Sequence, residues 1–289
     1  VKQETHFSGI LRQGEKGPFL EGPYEEHFLE GRTIWKGYLQ HWLDQPVHAR
    51  DLSQKDYDTG EPILILWPQE VPEPEPFVEL YYNERLVKYP ASTFGHIAIN
   101  VNGEIFNFSH LLNENEVLDR AEYFYRPALG EFAPSPTTGT FEIREDGRVY
   151  YDKFGRRFMR SIHVLKVVGM DTEKLSTYYH NQLAAIHTYP KDPAQPEKFQ
   201  GFSFFNRSCA TIIRDGLREY GIRQVSGVLP RDFFISAARA LIQEQDKQDF
   251  RIKLYKLAQL KVREAPYSKV TPLLNPMNWL KLRLLPSMD

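Results

Sequence analysis

The chain has 289 residues, 41% of them hydrophobic, and 36 Lys and Arg against 38 Asp and Glu give a formal net charge of -2. That length and apolar share suffice to bury a core in one large domain or two small ones, and the balanced, well-mixed charge gives no electrostatic ground for a nucleic-acid partner. A single cysteine, Cys209, excludes an intrachain disulfide and a zinc site built on cysteines.

From the N-terminus, residues 1–60 are polar and aromatic, with one short helix expected around residues 34–43, and they read as an extension. The chain opens on Val1 rather than Met, which fits a removed leader such as a signal peptide and equally an arbitrary truncation. Residues 62–67 read as a strand; their run Ile63-Leu64-Ile65-Leu66-Trp67 is the most hydrophobic in the chain and far shorter than the roughly 20 residues that cross a bilayer. Residues 68–76, with prolines at 68, 72, 74 and 76, form a stiff acidic connector unsuited to a sheet interior. The folding unit is therefore expected to begin near Phe77. Alternating segments at 77–82, 95–101 and 104–108 read as strands, the last two joined by the turn pair Asn102-Gly103.

Residues 124–136 are rich in aromatics and proline and read as an ordered loop. Strands are expected at 139–144, 148–154 and 161–168, with Asp146-Gly147 as a second hairpin turn. Asp171 caps an expected helix to about His187, whose stripe is Leu175, Tyr178, Tyr179, Leu183 and Ile186. Two more helices are expected, from Cys209 to a stop at Gly221 and from Pro230 to about Gln245. Residues 250–263 alternate apolar and basic side chains and are read as a basic amphipathic helix, suited to packing on its own domain or to an anionic membrane or protein partner. The tail after Pro266, with Leu273-Leu274 and Trp279-Leu280 between prolines, reads as an extended wrap seeking a groove.

Cys209 stands where a helix begins. A helix N-terminus offers unpaired N–H groups and the positive end of the helix dipole, which favour a thiolate and a developing oxyanion. Free cysteine is also among the most buried residue types and often serves as a small hydrophobe. Of the nine histidines, His96 has the setting of a base: it opens the first hairpin strand, and the return strand brings Asn107 alongside to orient an imidazole. His180 and His187 share a helical face but lie about 10 Å apart, too far to hold one ion, and are read as surface or core residues. Neither a phosphate-binding glycine loop, a Gly-x-Ser-x-Gly elbow nor a paired-histidine zinc motif occurs, and no cofactor is expected.

Taken together, Gly95-His96 opening a hairpin that ends Phe106-Asn107-Phe108, Gly155-Arg156-Arg157 before the 161–168 strand, and an aromatic approach to Cys209-Ala210-Thr211 at a helix start form one pattern. It resembles a permuted papain-like arrangement and, more narrowly, the bacterial DUF4105 family related to the NlpC/P60 superfamily, over roughly residues 77–225. The resemblance implies an α+β fold with an antiparallel sheet packed against helices, and a triad of Cys209, His96 and Asn107. Relatives often carry asparagine just before the cysteine, where this chain has Ser208. The implied arrangement is an N-terminal extension and connector over 1–76, a papain-like catalytic domain over 77–245 and the basic C-terminal segment over 246–289.

The expected chemistry is a cysteine-dependent amidase or peptidase working through a thioester; an acyltransferase or lipid esterase would use the same triad. By resemblance, substrates are peptide, cell-wall or lipid acyl groups in a bacterial periplasm or envelope. Phe94, Phe124, Tyr125 and Phe205 are expected to line the site. The alternative is a noncatalytic envelope binding module that retains Cys209 as a buried relic.

Overall fold

The computed structural model describes residues 6–56, 59–70, 73–86, 93–126, 132–134, 141–143, 155–260, 262 and 267–286. The architecture is mixed α/β, with antiparallel sheets and, among the described residues, seven helices. The chain divides into two compact units, one of residues 1–72, 121–158 and 261–265, the other of residues 73–120, 159–260 and 266–289.

In the first unit β1 (His6–Gly14), β2 (Gly17–Glu21), β3 (Glu26–Phe28), β4 (Pro46–Lys55) and β5 (Pro62–Pro68) form a five-stranded sheet in the order β3-β2-β1-β4-β5. Leu11, Leu20, Val47, Ala49, Leu64 and Leu66 are buried along it. Polar residues alternate with them, which gives the segment an extension-like composition although it folds as a sheet. The expected short helix is α1 (Lys36–Trp42). Its Tyr38 meets the Phe158 ring at 5.0 Å, with Trp35 and His41 each at 5.2 Å. The 124–136 segment departs from the loop reading: Phe124 and Tyr125 end a helix, α2 (Arg120–Tyr125), and β11 (Phe132–Pro134) pairs with β12 (Phe141–Ile143). The turn expected at Asp146-Gly147 lies outside the described residues. A four-residue helix, α3 (Arg156–Met159), follows and carries Phe158.

The second unit is built on a six-stranded antiparallel sheet. It contains β6 (Phe77–Asn83), β8 (His96–Val101), β9 (Glu104–Asn107), β10 (Glu116–Leu118), β13 (Ile162–Val168) and β14 (Arg251–Leu257) in the order β10-β9-β8-β6-β13-β14. A short pair, β7 (Arg85–Leu86) with β15 (Ser268–Lys269), lies outside it. Strand period 2 sends Val78, Leu80, Ile97, Ile99, Val101, Leu165 and Val167 into one core with the helices α4 (Thr172–His187), α5 (Cys209–Tyr220) and α6 (Pro230–Gln248). The β8–β9 hairpin turns at Asn102-Gly103, both at positive φ (51° and 101°), the pairing that suits a tight two-residue turn.

Each helix starts on a residue suited to the role. Asp171 accepts the Lys174 N–H at 3.1 Å, Ser208 caps α5, and Pro230 opens α6. The basic C-terminal segment is the clearest correction: residues 251–257 form strand β14, paired with β13 along its whole length. The alternation of Arg251, Ile252, Lys253 and Leu254 is strand periodicity, and the lysines and arginine of the strand suit the edge position β14 occupies. The tail also forms a helix, α7 (Pro276–Arg283), rather than an extended wrap.

Candidate active site

The site assembles where the start of β8 meets the start of α5. Gly95 sits at φ 73°, and a side chain there would come within 2.5 Å of the Asn83 carbonyl and 2.9 Å of the Tyr82 ring. Only glycine fits that turn into the strand. His96 follows, half-buried, opposite Asn83 in the β6–β8 ladder.

Asn107, at the end of β9, is buried and meets His96 Nε2 through its side-chain oxygen at 2.7 Å. Its amide nitrogen donates to the Glu114 backbone carbonyl at 2.6 Å. A carbonyl can only accept, so the NH2 end of Asn107 must face Glu114 and the oxygen must face His96. The imidazole therefore donates from Nε2, and in the neutral ring Nδ1 carries the lone pair.

Glu114 is held in turn by a tightly bonded turn. Asn115 donates to the carbonyls of Ser109 and Leu111 at 3.0 and 2.6 Å and accepts the Ser109 N–H at 3.0 Å. His187 Nε2 reaches the Asn115 carbonyl at 2.7 Å. This support was missed from the sequence, although an asparagine beside a Ser-containing turn is a recognisable signal.

Cys209 is the first residue of α5. Ser208 before it forms a reciprocal cap: its backbone N–H donates to Thr211 Oγ1 at 2.7 Å, and its hydroxyl accepts the Thr211 N–H at 3.4 Å. Serine and asparagine are equivalent caps, so the departure at Ser208 keeps the local geometry intact. The β8–β9 ladder covers only residues 99–101 of β8. Beyond it, the N–H groups of Ile97, Ala210 and Cys209 itself lie close enough to the Cys209 sulfur to favour its thiolate. Ile97 is the residue next to His96.

Burial pushes the Cys209 thiol up to about 11, and those three N–H groups offset only part of the effect. The helix start was expected to favour a thiolate; desolvation outweighs it, and the resting group is a thiol.

The expected aromatic lining divides in two. Phe94 and Phe204 are partly exposed with ring centroids 5.4 Å apart, and Phe205 packs edge-on to Phe204 at 5.2 Å. These rings flank the segments that lead into His96 and Cys209. Phe124 and Tyr125 are buried in the first unit, Tyr125 against Trp42 at 5.8 Å. His180 pairs with Glu104 at 2.9 Å on the surface. Among the described residues no group of three metal-ligating side chains converges.

No family model, curated protein or solved structure matches this chain.

Proposed function

We propose that this protein is a cysteine-dependent hydrolase acting on amide bonds through a thioester, with Cys209 as nucleophile, His96 as general base and Asn107 as the orienting residue. The observation that carries the reading is the Glu114–Asn107–His96 chain of hydrogen bonds. It makes Nε2 the donor, so that Nδ1 is the basic nitrogen of the neutral ring, and the neighbouring Ile97 N–H favours the thiolate of Cys209.

In this scheme His96 Nδ1 takes the Cys209 proton as the sulfur attacks the carbonyl carbon. Because the resting thiol is protonated, proton removal accompanies attack and does not precede it. The carbonyl π pair moves onto oxygen, and the Cys209 N–H, no longer needed by the sulfur once it has attacked, stabilises that oxyanion. Collapse expels the leaving amine, which takes the proton from His96 and leaves a thioester on Cys209. Water attacking with His96 again as base releases the acid and restores the thiol. An amine or hydroxyl acceptor in place of water makes the same site an acyltransferase, an ester substrate in place of an amide makes it a lipid esterase, and the exposed Phe94, Phe204 and Phe205 give an apolar acyl group somewhere to lie.

The kinship proposed is with the DUF4105 and NlpC/P60 proteins and their permuted papain-like fold, acting at a bacterial envelope. Its support is the order His96, Asn107, Cys209 on a hairpin and a helix start. An activated ester such as p-nitrophenyl acetate tests the chemistry. The expected result is one acyl group on Cys209 by mass spectrometry, lost on hydroxylamine treatment and formed at least about a hundredfold more slowly in His96→Ala. Acylation indifferent to His96, or none at all, would leave the noncatalytic binding module as the surviving reading.

A further inference from the structure

The C-terminal helix carries an apolar and basic face that the fold leaves uncovered. Residues 267–286 contain the cations Lys269, Lys281 and Arg283 and no carboxylate. α7 is anchored on α6 through Asp232, whose carboxylate accepts the N–H groups of Leu274 and Asn275 at 3.2 Å each and the buried Asn278 amide at 2.7 Å. Leu282 and Leu285 pack on the core beside it.

That anchoring fixes which side faces outward. At about 100° per residue, Met277, Leu280, Arg283 and Leu284 share the side away from Asn278 and Leu282, and Trp279 and Lys281 lie on its flanks. Leu274, Met277, Trp279, Leu280 and Leu284 are 63%, 61%, 57%, 55% and 53% exposed. Lys281 reaches only the Ser236 hydroxyl, at 3.4 Å. Among the described residues Lys269, Arg283 and the nearby α6 residue Arg239 have no ion-pair partner.

We infer that this face docks on an anionic phospholipid surface, with Trp279, Met277, Leu280 and Leu284 at the boundary between headgroups and acyl chains and the cations on lipid phosphates. A tryptophan among leucines, edged by Lys and Arg without carboxylates, has the chemistry of that boundary. A second copy of the chain fits poorly, since pairing two such faces would set Lys281 and Arg283 against their own kind with no acid to neutralise them.

Flotation of the intact protein with phosphatidylcholine vesicles, with and without phosphatidylglycerol, tests the inference. The expected result is binding that requires phosphatidylglycerol, weakens as salt rises, and shifts tryptophan emission to the blue. Leu280→Ser with Leu284→Ser, and separately Lys281→Gln with Arg283→Gln, should each lower partitioning about tenfold or more. All four side chains are at least partly exposed, and unchanged thermal unfolding would show the variants folded. Failure of the parent protein to bind phosphatidylglycerol vesicles, or binding that survives both double variants, overturns the inference. So does a dimer in sedimentation that Leu280→Ser abolishes.

Discussion

His96 and His163 stand two strands apart on the same sheet, and each sets Nε2 on a side-chain oxygen, Asn107 at 2.7 Å for one and Glu84 at 2.9 Å for the other. Their surroundings differ in kind. The Glu84 carboxylate is closed from every side, by His163, by Lys256 at 3.0 Å and by the Ser268 hydroxyl at 2.9 Å. Burial alone would raise its pKa, but these hydrogen bonds and the Lys256 charge outweigh it and hold it at about 2. A histidine bound into such a network is a structural counterpart to a fixed charge. Asn107 brings no charge. It orients the His96 ring with Nε2 as the donor, so the neutral partner is the one that suits proton transfer.

The sharpest way to break this comparison is to remove each histidine in turn. His96→Ala should slow acylation of Cys209 by about 10² to 10⁴, the usual worth of a general base. His163→Ala should leave the rate within about threefold and lower the melting temperature, because it strips a partner from a buried carboxylate. Equal effects on acylation would erase the distinction drawn here.

Acid unfolding probes the Glu84 side of the comparison. A group held at about 2 in the fold, against an ordinary value of 4.5, adds stability that is present above pH 4.5 and disappears as pH falls toward 2. The difference amounts to on the order of 3 kcal/mol. Urea midpoints measured across that window should fall less steeply in Glu84→Gln than in the parent.

The thiol has the opposite sign. Its pKa rises from an ordinary 9.0 to about 11, so the fold favours the neutral form and that contribution is lost as pH climbs through this window. Iodoacetamide labelling of the single cysteine should gain rate up to about pH 11; a midpoint below 8 would reveal a preformed thiolate–imidazolium pair instead.

The smallest expected effect concerns the cap before Cys209. Ser208→Ala should cost about 1 kcal/mol, whereas Ser208→Asn should be close to neutral and keep acylation intact. Chemical denaturation of the two variants separates capping from a direct chemical role for the hydroxyl.

Much of the second unit was legible because its signals are local. Asn102-Gly103 sets the hairpin; Asp171, Gly221 and Pro230 mark helix ends; and His96 and Asn107 lie on one hairpin, so the turn alone brings them together. In residues 250–263 a basic stripe masks a period of 2 that is equally local. The sheet in residues 6–68 is hard to read because its inward residues are separated by charged and polar ones.

By itself the sequence determined the hairpin pair of the site and the helices α4, α5 and α6. Tertiary structure alone decided three things: which N–H groups lie near the Cys209 sulfur, that the Glu114 carbonyl fixes the Asn107 amide, and that Phe124 and Tyr125 are buried in the first unit. It also decided that burial raises the thiol's pKa. Capping and turn formation depend on neighbours within a few residues, whereas desolvation and hydrogen bonding to the backbone of another element depend on what the completed fold packs around each atom.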